Sequence, residues 1–123
     1  LVFKLGGDKV LPNLPPFTEA PLSAAVQFAD ADTIRRGAQV FEAQCQTCHG
    51  RNGAARSTFP DLRRSPALLS QPLLDSIVLQ GTLSERGMAS FRDYLKDGDT
   101  VALRGYLISL AEAARAQAAV TPR

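Results

Sequence analysis

Residues 45–49 read Cys-Gln-Thr-Cys-His, and this pentapeptide holds both cysteines and the single histidine of a 123-residue chain. No other feature limits the fold as much, because two thiols and an imidazole must sit on about one helical turn with the rest of the chain arranged around them. A bridge between Cys45 and Cys48 would close a very small loop and constrain the unfolded chain little, so the pair is poor structural cement. The segment must serve something else.

The spacing Cys-x-x-Cys-His is the attachment signature of a c-type haem. The two thiols add across the vinyl groups of the porphyrin, and the adjacent histidine lies under the iron as an axial ligand. Two rivals share part of the pattern. A thioredoxin-like redox pair calls for a βαβ setting, which the chain lacks. A zinc site needs a fourth protein ligand in its structural form, and no further cysteine or histidine exists.

The surrounding chain predicts an all-α domain. Ile34, Ala38, Phe41 and Cys45 recur on one helical face from about Asp32, with Asp32 or Thr33 as the cap. Gly37 lies inside that helix at a cost of about 1 kcal/mol relative to alanine, a cost usually offset by close packing. Ser70 caps a second helix over 71–80, with Pro72 in its first turn and Gly81 just past its end. A third runs from Asp99 to about Ala116, carrying the stripe Leu103, Tyr106, Leu107, Leu110 and Ala111. The placement of Gly37 and Phe41 against Tyr106 and Leu107 predicts a crossing of the first and last helices. Loops over 50–66 and 82–98 are long for so small a domain and read as wrapping a ligand.

Residues 1–31 differ from the rest. The stretch LVFKLGG reads as a short strand meeting a turn, and Pro12, Pro15, Pro16 and Pro21 then make an extended linker or strap. The division expected is a linker at 1–31, a domain at 32–116 and a frayed tail at 117–123. A formal net charge of +2, with acidic and basic residues interspersed, argues against nucleic-acid binding. No apolar run approaches the roughly 20 residues of a membrane span. No signal peptide is visible, so the chain reads as a mature or excised piece.

A haem held by His49 has a second axial position, for which Met88, the single methionine, is the candidate. A lone methionine is commonly core filler, but Met88 lies in the loop segment RGMASF, away from any apolar stripe. His/Met ligation raises the potential and saturates the iron, favouring electron transfer over oxygen chemistry. The carbonyl of Pro60 can accept the other ring proton of His49, although a loop proline needs no such role. Arg56, Arg63 and Arg64 are candidates to pair with haem propionates, or form a solvated basic loop.

From about Asp32 to Ala116 the chain resembles class I cytochrome c, on the segments GAQVFEAQCQTCHG, FPDLR, GMASF and LRGYLISLA. The resemblance implies three main helices and long loops around one covalent haem, thioethers to Cys45 and Cys48, axial ligands His49 and Met88, and Pro60 supporting the histidine. Arg63 stands as the cofactor-binding arginine.

A narrower likeness adds LVFKLGG, the proline-rich strap, CHGRNGAARSTFPDLRRS and IVLQGTLSERGMASF. Together these are similar to the C-terminal end of the quinohaemoprotein alcohol dehydrogenases. It implies that the first strand closes a β-propeller that binds pyrroloquinoline quinone. That quinone would donate electrons, an external redox protein or oxidase would accept them, and the setting would be periplasmic. Alcohol oxidation belongs to the propeller, so this chain alone is an electron-transfer domain and not an enzyme. The family commonly has proline after the ligand methionine, and Ala89 stands there instead. The alternatives are a free-standing periplasmic carrier, which has no need of the strap, and a haem peroxidase or gas sensor, against which Met88 argues.

Overall fold

The computed structural model describes residues 18–55 and 58–120, together with Gly6, Asn13, Pro15 and Pro16. The strand expected within 1–7 and Arg56 fall outside the described residues, Gly6 excepted. Four α-helices are present among those described: α1 (Ala31–Gln44), α2 (Gln46–His49), α3 (Gln71–Val78) and α4 (Asp99–Val120). No strand occurs among the described residues, and the class is all-α. Short 3-10 turns at Arg51–Gly53, Leu62–Arg64, Pro66–Leu69, Ser84–Arg86 and Arg92–Tyr94 organise the two long loops.

The cap of α1 is Asp30, not Asp32 or Thr33. Its carboxylate accepts the Thr33 N–H at 2.8 Å, and that bond, with the positive helix end, holds the acid below its usual range. Ser70 caps α3 as expected, accepting the Leu73 N–H at 3.3 Å. The last helix continues past the predicted end at Ala116 to Val120. Residues 117–120 are therefore helical rather than frayed, because Gln-Ala-Ala adds strong helix formers and no stop signal. Residues 121–123 lie outside those described.

α1 and α4 cross at Gly37. A Cβ there would lie 2.6 Å from the Ala102 carbonyl carbon and 2.8 Å from Tyr106 Cβ, so only glycine lets the backbones approach this closely. Phe41 is buried beside Tyr106, ring centroids 5.5 Å apart. At the N-terminal end of α4, Arg36 Nε donates to Asp99 Oδ1 at 2.9 Å and Asp99 Oδ2 accepts the Lys96 N–H at 2.8 Å. This places a half-exposed cation against a buried carboxylate and ties α1 to α4.

Burial on α4 is wider than the predicted stripe. Ala102, Gly105 and Ile108 are buried as well as Leu103, Leu107 and Ala111, whereas Tyr106 and Leu110 are half-buried. The cause is that α4 is covered on three sides. Ala102 meets α1, Leu103 and Leu107 face a cavity, and Gly105 meets the strap.

The described part of the strap, 18–30, is docked rather than free. Gln27 donates to the Gly105 carbonyl at 2.9 Å, and a Cβ on Gly105 would come within 2.6 Å of Ala29 Cβ. Phe28 lies under the Arg104 guanidinium, 4.8 Å from ring centroid to Cζ, while Arg104 donates to the Leu68 carbonyl at 2.9 Å. Ser23 N–H reaches the Arg63 carbonyl at 2.8 Å, and Ala25 is buried in the core.

Candidate functional site: an apolar cavity with two thiols, an imidazole and a thioether

The end of α1 delivers Cys45 to the core, and α2 continues from it. The N–H groups of Cys48 and His49 both reach the Cys45 carbonyl, at 3.2 and 3.0 Å, which gathers all three functional side chains on one turn. Gly50 then leaves the helix at φ 71°, ψ 168°, a region open to glycine. Both thiols are free; Cys45 is half-buried and Cys48 exposed. Burial, with Cys48 alongside, pushes the Cys45 thiol up to about 11.

These residues border a cavity of about 510 Å³. That lies inside the range of roughly 300–1,000 Å³ typical of cofactor and small-molecule sites. Its walls are largely apolar, with Phe41, Leu68, Leu74, Val78, Leu103 and Leu107 from the helices and the loop before α3. Met88 joins from the loop between α3 and α4, and Pro60 from the loop after α2. Five of the six predicted site residues, Cys45, Cys48, His49, Pro60 and Met88, thus share one cavity.

His49 is buried, and its ring meets Phe59 edge-on at 6.0 Å. Burial lowers its proton affinity, and the nearby Pro60 carbonyl partly restores it. Even so, Nδ1 is buried without a hydrogen bond of normal geometry. An orphaned imidazole nitrogen beside a prolyl carbonyl fits a histidine whose ring is fixed by bonding a metal through its other nitrogen. Among the described residues no three His, Cys, Asp or Glu side chains gather as ligands of one ion would. Cys45, Cys48, His49 and Met88 are instead spread around a cavity whose volume lies in the range of cofactor sites.

Arg63 is not in this wall. Its guanidinium makes two bonds to Asp61, Nε at 2.9 Å and Nη2 at 2.8 Å. Arg64 is shared between Asp61 and Glu19, and also donates to the Ala20 carbonyl. Arg64 therefore knots the loop to the strap, and Arg63 braces Asp61 within the loop. Among the described residues, the Lys or Arg side chain that lines the cavity is that of Arg86, which sequence reasoning missed. Its only local signal was adjacency to Gly87-Met88.

Residues 32–107 match the family model described as cytochrome c oxidase, cbb3-type, subunit III. Among curated proteins, the chain is 33% identical over 109 residues to the dehydrogenase subunit of alcohol dehydrogenase (quinone) from Acetobacter aceti. It is 35% identical over 115 residues to quinohemoprotein alcohol dehydrogenase ADH IIB from Pseudomonas putida. Each match takes in 89% of this chain but only 15% and 16% of the relative's length. A 1-butanol dehydrogenase (cytochrome c) from Thauera butanivorans is 29% identical over 92% of this chain and 16% of its own.

Proposed function

The chain belongs to the cytochrome family described as cytochrome c oxidase, cbb3-type, subunit III, and from that premise we propose a single-haem electron-transfer domain that serves a quinone-dependent alcohol dehydrogenase. The observation that carries the haem reading is the meeting of Cys45, Cys48, His49 and Met88 around one apolar cavity. Cys45 and Cys48 would hold the group by thioether bonds, and His49 and Met88 would be its axial ligands. Haem ligated in this way supplies one-electron ferric–ferrous chemistry with no open coordination position.

The chain's own residues do the rest. The apolar walls exclude water and keep the local dielectric low, so the charge state of the site is felt strongly. Pro60 orients the His49 ring. Arg86, the only Lys or Arg among the described lining residues, is the counter-charge for acidic substituents on the group. Exposed Cys48 and partly exposed Phe59 mark an edge where an electron can enter or leave.

Pyrroloquinoline quinone in a dehydrogenase portion is the donor we assign, because the relatives named as quinone or quinohemoprotein dehydrogenases match across the strap as well as the helices. An external redox protein or oxidase is the acceptor, and the periplasm is the compartment; cell fractionation checks the latter. No helix among the described residues is long and apolar enough to cross a membrane.

The test is optical. After acid–acetone extraction the colour should stay with the protein, and carbon monoxide should leave the reduced spectrum unchanged. Met88→Ala should admit carbon monoxide and lower the potential. Colour that extracts removes the thioether reading, and carbon monoxide binding to the unaltered protein removes Met88. The donor is tested separately, by mixing ferric protein with a relative's reduced dehydrogenase portion lacking haem. Reduction no faster than by free reduced quinone would reject it.

A further inference from the structure

The loop that carries Met88 is held differently on its two sides. Before Met88 the bonds are those of ordinary turns, with Ser84 N–H to the Gly81 carbonyl at 2.9 Å and Met88 N–H to the Leu83 carbonyl at 3.2 Å. After Met88 the loop is fastened to another element. Ser90 Oγ donates to the Leu79 carbonyl at 2.6 Å and accepts the Arg92 N–H at 3.3 Å, and Phe91 N–H donates to the Val78 carbonyl at 2.8 Å. The carbonyls that close α3, which have no partner within the helix, are thus taken up by the residues that follow Met88.

Gly81 makes room for this. It turns at φ +67°, and a Cβ there would lie 3.2 Å from Ser90 Cβ. Only Ala89 stands between Met88 and Ser90. Alanine leaves φ unlocked where a proline ring would fix it. The segment after Met88 is fastened to α3 by the Ser90 hydroxyl and the Phe91 N–H, of which the hydroxyl lies nearer to Met88 along the chain.

We propose that Ser90 is the positioning residue for Met88, its hydroxyl clasping the loop to the end of α3 and so fixing where the thioether sits in the cavity. This rests on the reading of Met88 as a haem ligand. Displacing the thioether requires the loop to swing open, and the clasp opposes that opening. The bond is at the surface, so water replaces it when it is lost and the core is left intact.

The haem-loaded protein tests this through imidazole titration of the ferric form, read in the optical spectrum, beside thermal unfolding. Ser90→Ala should bind imidazole about 3- to 10-fold more tightly, the worth of one hydrogen bond in the closed state. Ser90→Thr keeps the hydroxyl and should stay within about twofold of the parent. Lowered thermal stability in Ser90→Ala with unchanged imidazole affinity overturns the proposal, provided Met88→Ala binds imidazole tightly; the ligand reading then survives. If Met88→Ala and the parent bind imidazole equally, the ligand reading fails and the clasp falls with it.

Discussion

The carbonyl of Ala102 occupies the space where a side chain on Gly37 would be, so α1 and α4 cross backbone against backbone. That contact does more than join two helices. It sets Phe41 beside Tyr106, one turn before Cys45, and so fixes the height at which the Cys45–His49 turn meets the cavity.

Gly37→Ala therefore pits a gain in helix propensity of about 1 kcal/mol against a clash with backbone, which cannot rotate away. Overpacking of this kind costs about 1–3 kcal/mol, and the loss should dominate. Denaturant unfolding should show a lower midpoint with an unchanged slope. A midpoint at or above that of the parent would mean the helices separate freely and the crossing does not set the site.

The two cysteines should differ in reactivity before haem is attached. Only the thiolate reacts, and with the Cys45 thiol pushed up to about 11, roughly one molecule in a thousand is ionised there at pH 8. Cys48 is exposed. Iodoacetamide at pH 8 should label Cys48 at least about tenfold faster, as read by peptide mass spectrometry. The Cys45 rate should then climb about tenfold per pH unit towards its ionisation. Equal labelling would show that Cys45 is not enclosed as described.

Local signals and the crossing of α1 with α4 were readable in the sequence, and side-chain pairings with the strap were not. Cys45, Cys48 and His49 stand out as a motif within one turn, and Ser70 as a cap beside its helix. Gly37 stands out as a glycine inside a helix, although its partners Ala102 and Tyr106 are far along the chain. The N-cap went to Asp30 rather than Asp32 or Thr33 because three capping residues compete within four positions, and side-chain reach decides among them. Arg63 drew attention by its place in a basic loop, yet where it points is decided by Asp61, in a knot that reaches Glu19 through Arg64. The strap was read as extended, and its seat on Gly105 could not be, since Gln27 and Gly105 are 78 positions apart.

That seat yields a prediction of its own. Gly105→Ala puts a methyl group 2.6 Å from Ala29 Cβ, and the strap, not the helix, is the side able to give. The variant should keep its helical circular dichroism while the segment over 18–29 is cut several-fold faster by a non-specific protease, since cleavage tracks local opening. Unchanged cutting would show that the strap is held by Arg64, Glu19 and Ser23 without help from Gly105.

Arg63 and Arg86 should separate cleanly under substitution. Burial alone would raise Asp61, but the hydrogen bonds and charge of Arg63, then the hydrogen bond from Arg64, outweigh it and hold the acid below its usual range. Because the folded-state value is depressed, the knot adds stability above the ordinary carboxylate value near 3.9, and that stability is lost as pH falls below it. Arg63→Gln should cost about 1–2 kcal/mol near neutral pH and flatten the loss of stability between pH 5 and 3, with no change in potential. Arg86→Gln should leave the stability curve alone, because Arg86 has no ion pair among the described residues. It should lower the potential, because removing a cation beside the cavity favours the more positive ferric state. A potential that moves with Arg63 and not with Arg86 would return the counter-charge to the loop arginine and show that the Asp61 knot opens when haem is bound.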